Sequence, residues 1–515
     1  MNTNTEPMTN DTKRAAGILM PIFSLPGRYG IGTLGKEAYR FADFLEKSGQ
    51  TYWQVLPIGP TGYGDSPYQS FSTFAGNPYF IDLETLVAEG LLTKEECEEV
   101  DFGKDERRVD YEKLYFGRFP LLLKAYLRFC KKTEDGSTES ARREREDYLA
   151  FLERSSSWLV AYDRFMTEKT GYPEAFYGFT QYEFEKQWKK LKAYVNEKGI
   201  SIIGDIPIYV SGDSVDFTEH PELFQLGEDG KPCKVAGCPP DDFAAGGQLW
   251  GNPIYDWDYH KKTGYSWWIS RMRRCFELFD VVRVDHFRGF DEYYAIPAGA
   301  KDARGGTWEK GPGIELFDAL KDALGPKPVI AEDLGYLTDS VRKLVRDTGY
   351  PGMKILEFAF DSRENSDYRP CTWPENAVCY TGTHDNQTLA AWFREISVED
   401  QDFCARYCEA WQLGDGEEAG VKAVTRAEDV DRVLISQFLK SDYVDKLIRM
   451  TLASRPDTAV IPLQDYLEMG AEARVNRPST LGSNWVFRFR KEDFTEGTAD
   501  RIRRLTEESH RARKQ

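Results

Sequence analysis

Asp285, Glu332 and Asp385 are the residues of this chain whose types and placement best suit joint chemistry. Asp285 closes the run Val-Val-Arg-Val-Asp, and Glu332 closes Pro-Val-Ile-Ala-Glu. Asp385 lies in Thr-Gly-Thr-His-Asp-Asn, which directly follows Ala-Val-Cys-Tyr. Two or three carboxyl groups in one pocket suit cleavage of a glycosidic bond. One carboxylate acts at the anomeric carbon while a second, kept protonated, gives its proton to the leaving oxygen.

Each acid has its own reading and its own alternative. Arg283 sits two residues before Asp285, on the same face of a strand. Its guanidinium favours the ionised carboxylate that a nucleophile needs; the alternative is a structural ion pair at a strand end. Glu332 reads as a general acid with a raised pKa, against a helix cap or a surface acid. Alternation turns its neighbour Asp333 to the other side of the strand. Asp385 reads as a carboxylate that binds hydroxyls next to the reacting carbon, against an Asx turn. The chain holds 5 His, and two of them, His286 and His384, adjoin these acids. A divalent cation held by such Asp, Glu and His residues is a rival, but no metal-ligand spacing supports it, and neither metal nor cofactor is expected.

Two Gly-rich loops offer aromatic platforms. Residues 62–69, Gly-Tyr-Gly-Asp-Ser-Pro-Tyr-Gln, bring Tyr63, Asp65, Ser66 and Tyr68. Residues 241–253 bring Phe243 and Trp250, with Gly246 and Gly247 as hinges of a mobile loop. Singly, each ring could equally be a packing anchor.

Elements must bring these residues together. The run before each acid is short, apolar and rich in β-branched residues, as in a buried parallel strand. The three acids stand about fifty residues apart, which leaves room for a helix and loops between strands. Eight strands are expected, at 17–20, 52–56, 202–206, 281–284, 329–331, 355–360, 377–380 and 459–463. Most are followed by a loop and a helix-like stretch. The expected fold class is therefore α/β, a (β/α)8 barrel, and residues at the C-terminal ends of its strands converge on one face.

The whole chain, 1–515, reads as one catalytic barrel unit with three insertions: 84–200 after the second strand, 220–265 after the third and 386–456 after the seventh. The first is helical, with apolar spacing at 111–131, 147–168 and 182–198, and a solvated loop over 131–147. The second is rich in Gly, Pro and Asp and reads as loops. The third reads as helical.

Composition excludes some functions. Charged residues make up 30% and aromatics 14%, so the chain is globular and not disordered. A formal net charge of -18 disfavours nucleic acid, which needs a basic surface. The 28 Tyr and 12 Trp supply flat faces with polar edges that suit sugar rings. The 9 Cys form no disulfide or zinc framework and read as free thiols of a reducing compartment. Residues 1–12 are polar and lack an apolar signal core, and no apolar run reaches membrane-spanning length. A cytoplasmic protein without nucleic-acid or membrane partners is expected.

Together these motifs resemble the amylomaltases, the 4-α-glucanotransferases of glycoside hydrolase family 77. The resemblance begins at Gly-Ile-Leu-Met-Pro-Ile-Phe-Ser-Leu-Pro-Gly-Arg-Tyr-Gly-Ile-Gly-Thr-Leu-Gly (17–35). It runs through the 62–69 loop, Ile-Gly-Asp-Ile-Pro-Ile-Tyr-Val, Gln-Leu-Trp-Gly-Asn-Pro, Arg-Val-Asp-His-Phe-Arg-Gly, Ala-Glu-Asp-Leu-Gly and Thr-His-Asp-Asn. It ends near Arg474-Val475-Asn476-Arg477-Pro478, so it covers roughly 17–490. The resemblance implies a retaining transferase in which Asp285 matches the nucleophile, Glu332 the acid/base and Asp385 the stabilising carboxylate. Arg283, His286 and His384 match residues that hold the donor sugar; Tyr68 and Asn476 share that cleft. Trp250 matches a loop residue closing over the chain, and Tyr63 one that stacks a more distant glucose. The implied partners are α-1,4-glucans and glucose, and the implied state is a monomer or weak homo-oligomer. Around Phe243 the chain departs from the family, with Asp242 and Ala244 where an aromatic and a Ser are expected. Two alternatives remain at this point. A hydrolase would use the same carboxylates, and a non-catalytic glucan-binding barrel would not need them.

Overall fold

A computed structural model describes residues 14–513 apart from 63, 241–244, 336, 364–367 and 413–429. Eight parallel strands close into a barrel: β1 (Ala15–Leu19), β2 (Tyr52–Gln54), β3 (Ser201–Ile206), β6 (Val281–Val284), β9 (Val329–Ala331), β10 (Gly352–Ile355), β11 (Ala377–Tyr380) and β12 (Thr458–Pro462). The last pairs with the first, Ala15 beside Thr458 through Leu19 beside Pro462. The fold is the expected (β/α)8 barrel.

Strand alternation divides the apolar residues into two cores. Leu19, Ile203, Ile330, Met353, Ile355, Val378, Tyr380 and Val460 fill the barrel. Their neighbours along the strands, such as Ile18, Ile202, Val282 and Ala331, pack outward beneath the helices. Toward the C-terminal mouth the filling turns polar. Arg283 Nε lies 3.3 Å from Met353 Sδ, and the Tyr380 hydroxyl donates to Gln54 Oε1 at 3.0 Å. Asp285 and Glu332 directly follow strands at this end of the barrel.

The sixth strand differs from expectation. It occupies Gly352–Ile355, and Leu356–Phe358 form a 3-10 turn, whereas 355–360 was expected. Both stretches are mostly buried and rich in apolar residues, so hydrophobicity alone does not separate them. Backbone pairing does: Gly352–Ile355 match Ala377–Tyr380 residue for residue.

Between β2 and β3 run three long helices, Tyr111–Asp135, Glu139–Thr170 and Glu174–Glu197. The solvated loop expected at 131–147 is mostly helix. Gly136 ends one helix at φ 54 and Thr138 caps the next by accepting from Ala141 N–H, so the chain reverses at once. The last helix holds the loop after β2 in place. Gln181 Oε1 accepts from Gly76 N–H at 2.7 Å, and Gln187 Oε1 accepts from Asp82 N–H at 2.7 Å.

The stretch 220–265 is more ordered than its composition suggests. It supplies β4 (Lys234–Cys238) and β5 (Gln248–Pro253) to an antiparallel sheet completed by β7 (Glu292–Pro297) and β8 (Thr307–Lys310), in the order β5-β4-β7-β8. Gly237 makes this possible, since a Cβ there would lie 2.1 Å from the Gln248 carbonyl oxygen. All nine cysteines are free thiols. Among the described residues, no helix is long and apolar enough to cross a membrane.

Candidate active site

Strand pairing aligns the acids. Asp285 N–H donates to the Ile206 carbonyl at 2.9 Å, and Glu332 N–H donates to the Val284 carbonyl at 3.1 Å. Both therefore stand at the C-terminal rim, one strand apart. The chain then turns sharply. His286 adopts φ 50, and its N–H donates to Glu332 Oε2. A left-handed conformation at a non-glycine residue is costly and concentrates at functional sites. Asp333 turns away, accepting from Met353 N–H at 2.7 Å, as alternation requires.

Arg283 is buried and answers to two acids. Its Nη1 donates to both oxygens of Asp205 at 2.7 Å and lies 3.2 Å from Asp285 Oδ1. Asp205 also accepts from the Tyr68 hydroxyl at 2.7 Å. Asp205 thus shares the guanidinium that the sequence reserves for Asp285. The consequence is electrostatic. Burial pushes Asp285 up to about 6, the Arg283 charge opposing it without prevailing. Burial, reinforced by Asp285, pushes Glu332 higher, to about 8. Neighbouring carboxyls whose acidities are driven apart can divide the work of base and acid.

Asp385 is treated differently. Burial opposes its ionisation, but His384 overcomes that, with Asn476 and Arg283 assisting, and holds it down at about 2. His384 Nε2 lies 3.3 Å from Asp385 Oδ1, and Asn476 Nδ2 donates to the same oxygen at 2.6 Å. Arg474 fixes the backbone by donating to the Asp385 carbonyl at 2.7 Å. Asp285 and Asp385 keep 28% and 46% of their side-chain surface open to the cleft, which is the surface a sugar would meet.

The rest of the wall is aromatic. Tyr68 stacks on His384 with ring centroids 5.0 Å apart, and Trp485 packs against both at 5.8 Å. Trp250 meets His286 edge-on at 4.8 Å. Burial lowers His286 to about 4, so its ring is neutral near pH 7, and its Nε2 has no protein partner among the described residues. In the 62–69 loop Ser66 Oγ accepts from Tyr68 N–H at 3.3 Å, while Asp65, at φ 58, is raised by burial to about 6. Gln69 Nε2 donates to Asn252 Oδ1 at 3.1 Å and so ties this loop to β5. Gly247, at φ 67, packs under Ala303.

The structure therefore gathers Asp285, Glu332, Asp385, Arg283, His286, His384, Tyr68, Asn476 and Trp250 around one mouth, with Asp65 and Ser66 on the adjoining loop. Tyr63 and Phe243, with Asp242 and Ala244, lie outside the described residues. Sequence reasoning missed Asp205, Arg474 and Trp485. Asp205 lies inside β3 opposite Arg283 of β6, so its role depends on a strand pairing that no local signal shows. No local signal marks Trp485. The acids of the cleft are not grouped as metal ligands would be. Among the described residues Glu89, Glu144 and Glu183 are so grouped, and Lys186 bonds to Glu89 and Glu183 at 2.9 and 2.6 Å.

Comparison with known proteins identifies the family and the fold. The family profile described as 4-alpha-glucanotransferase matches residues 20–175 and 173–493. A 4-alpha-glucanotransferase of Streptococcus pneumoniae is 44% identical over 525 residues, spanning 96% of this chain and 97% of that protein. One from Thermus thermophilus is 42% identical over 529 residues, spanning 97% and 99%. The crystal structure of the Streptococcus agalactiae amylomaltase in complex with acarbose superposes with a TM-score of 0.86 at 39% identity, covering 97% of this chain and all of that one. The Corynebacterium glutamicum amylomaltase, at 17% identity, shares the fold with a TM-score of 0.75 over 97% of this chain and 75% of that one. With its barrel, its three rim carboxyls and matches of this length, the chain belongs to the 4-α-glucanotransferases of glycoside hydrolase family 77.

Proposed function

We propose that this chain is a retaining 4-α-glucanotransferase, which moves a segment of an α-1,4-glucan to the 4-hydroxyl of glucose or of another glucan. The observation that carries the mechanism is the pair Asp285 and Glu332. They stand one strand apart at the same rim, and Glu332 is the more weakly acidic. Near pH 7 this gives an ionised nucleophile beside a protonated acid.

Asp285 attacks the anomeric carbon while Glu332 protonates the departing 4-oxygen, leaving a β-linked glucosyl-enzyme. An acceptor glucan enters, Glu332 takes the proton from its 4-hydroxyl, and the new α-1,4 bond forms as Asp285 departs. Two inversions give net retention. Asp385, held ionised, accepts from sugar hydroxyls beside the reacting carbon. The neutral His286, with His384, Tyr68, Asn476 and Arg283, orients the donor sugar. Trp250, packed on His286, helps exclude water from the intermediate. The binding of acarbose by the Streptococcus agalactiae relative supports a glucan in this cleft. Nine free thiols support a reducing, cytoplasmic setting.

Incubation with maltotriose alone tests the reading. Glucose together with maltotetraose and longer chains is expected, and Asp285→Asn should cut turnover by at least about 10⁴-fold. Glucose and maltose with nothing longer would make water the acceptor and the protein a hydrolase.

A further inference from the structure

Several exposed rings lie outside the site described above, among them Tyr115, Phe116 and Trp308. Trp308, on β8, is 40% exposed. β8 is an edge strand of the small sheet, and β5, which carries Trp250, is the opposite edge. The two tryptophans are anchored to consecutive parts of a single turn. Trp250 packs on His286, and the Arg288 guanidinium lies over the Trp308 ring, 3.8 Å from its centroid. Arg288 is itself buried. It lies over the indole, while Trp308 as a whole keeps 40% of its surface exposed.

The ring is also held from the side. Tyr294 is its cross-strand partner, in edge contact at 5.1 Å. The Tyr294 hydroxyl donates to the Ala303 carbonyl at 3.0 Å, and Ala303 N–H donates to the Gly246 carbonyl at 2.8 Å. Gly306 makes room for Tyr294, since a Cβ there would lie 2.4 Å from its ring. Trp308 is thus a large, partly exposed aromatic, built on buried partners and joined to the rim loop, with an apolar body and a polar N–H edge. Its flat apolar face with a polar rim suits the C–H face of a pyranose.

We propose that Trp308 is a glucose-stacking platform, an outlying subsite for the part of an α-1,4-glucan that extends beyond the cleft. The proposal rests on the glucan reading of that cleft. Trp308 then acts on long chains alone. A short oligosaccharide fills the positions around Asp285 and does not reach it.

The test measures binding to full-length protein carrying Asp285→Asn, so that no turnover intervenes, by calorimetry with maltoheptaose and with maltotriose. Adding Trp308→Ala is expected to weaken maltoheptaose about tenfold, equivalent to about 1.4 kcal/mol, and to leave maltotriose unchanged. Trp308→Phe, which keeps a stacking face, is expected to retain most of the affinity. An unchanged maltoheptaose affinity, or an equal loss for both sugars, overturns the assignment and leaves the function of the cleft standing. If neither sugar binds while Trp308 is intact, the glucan reading itself falls.

Discussion

At the scale of single residues, the Asp285–Glu332 pair makes a signed claim about pH. The free enzyme needs Asp285 ionised and Glu332 protonated, and the two groups lie at about 6 and about 8. kcat/KM is therefore expected to be bell-shaped. It falls at low pH as Asp285 takes up a proton, and at high pH as Glu332 loses one; the two limbs belong to the pair as a unit. Glu332→Gln should lower kcat/KM by about 10²–10⁴-fold and abolish the alkaline limb. A limb still near pH 8 in that variant would place the acid elsewhere. Stability follows the same proton. A carboxyl whose folded pKa is raised stabilises fully below its ordinary value of 4.5, and that contribution is lost as pH rises through about 8. Thermal melts at pH 8 to 9, compared with pH 5, should therefore favour Glu332→Gln increasingly over the parent. The acids themselves were legible because each follows its strand in sequence. Asp205 was not recognised, because its claim on Arg283 depends on β3 pairing with β6, and that neighbour is far away along the chain.

At the scale of elements, β3 shows how tightly the rim is built. Gly204 pairs with Val282, directly before Asp205, and a Cβ there would lie 2.1 Å from the Phe279 ring. Phe279 is buried and has nowhere to retreat. Gly204→Ala is expected to cost about 1–3 kcal/mol by overpacking. It should also shift Asp205, and with it Arg283, so kcat/KM should fall along with the melting temperature. Gly305→Ala is the control: its Cβ would meet nothing within 4 Å, and it should stay within about 0.5 kcal/mol of the parent. Equal melts for the two variants would refute the packing argument. Most of the barrel was legible at this scale because each buried strand carries a compact β-branched run. The sixth strand was displaced because burial continues past its end into a 3-10 turn. The small sheet was missed because Gly and Pro interrupt the short strands of 220–265, and its partners β7 and β8 come after β6 in the chain.

At the scale of the whole molecule, Arg511 sits at the seam where the first and last strands close the barrel. Arg511 is fully buried. Its Nε donates to the Leu452 carbonyl at 2.6 Å, and its two Nη groups donate to Ala15, Asp457, Ser454 and Pro456 at 2.7–3.1 Å. Ala15 opens β1 and Asp457 immediately precedes β12, so one guanidinium staples the seam where the first and last strands meet. Burial lowers its pKa to about 10, which still leaves it charged near pH 7. Helix Glu496–Glu508 delivers it there, burying Ala499, Ile502 and Leu505 on the way. This seam lies at the N-terminal ends of the strands, whereas Asp285, Glu332 and Asp385 stand at the C-terminal ends, so stability and chemistry should separate. Arg511→Met removes the donor and leaves buried carbonyls short of partners, at a cost of about 3–5 kcal/mol. Arg14, which donates to the Leu452 and Ser454 carbonyls at 2.8 Å, shares two of these acceptors and compensates in part. The expected outcome is a clearly lower melting temperature with unchanged kcat and KM for maltotriose well below the melt. A loss of kcat in fully folded Arg511→Met protein would mean that strain at the seam travels through the barrel to the rim. An unchanged melt would mean that the β1–β12 pairing closes the barrel without the staple.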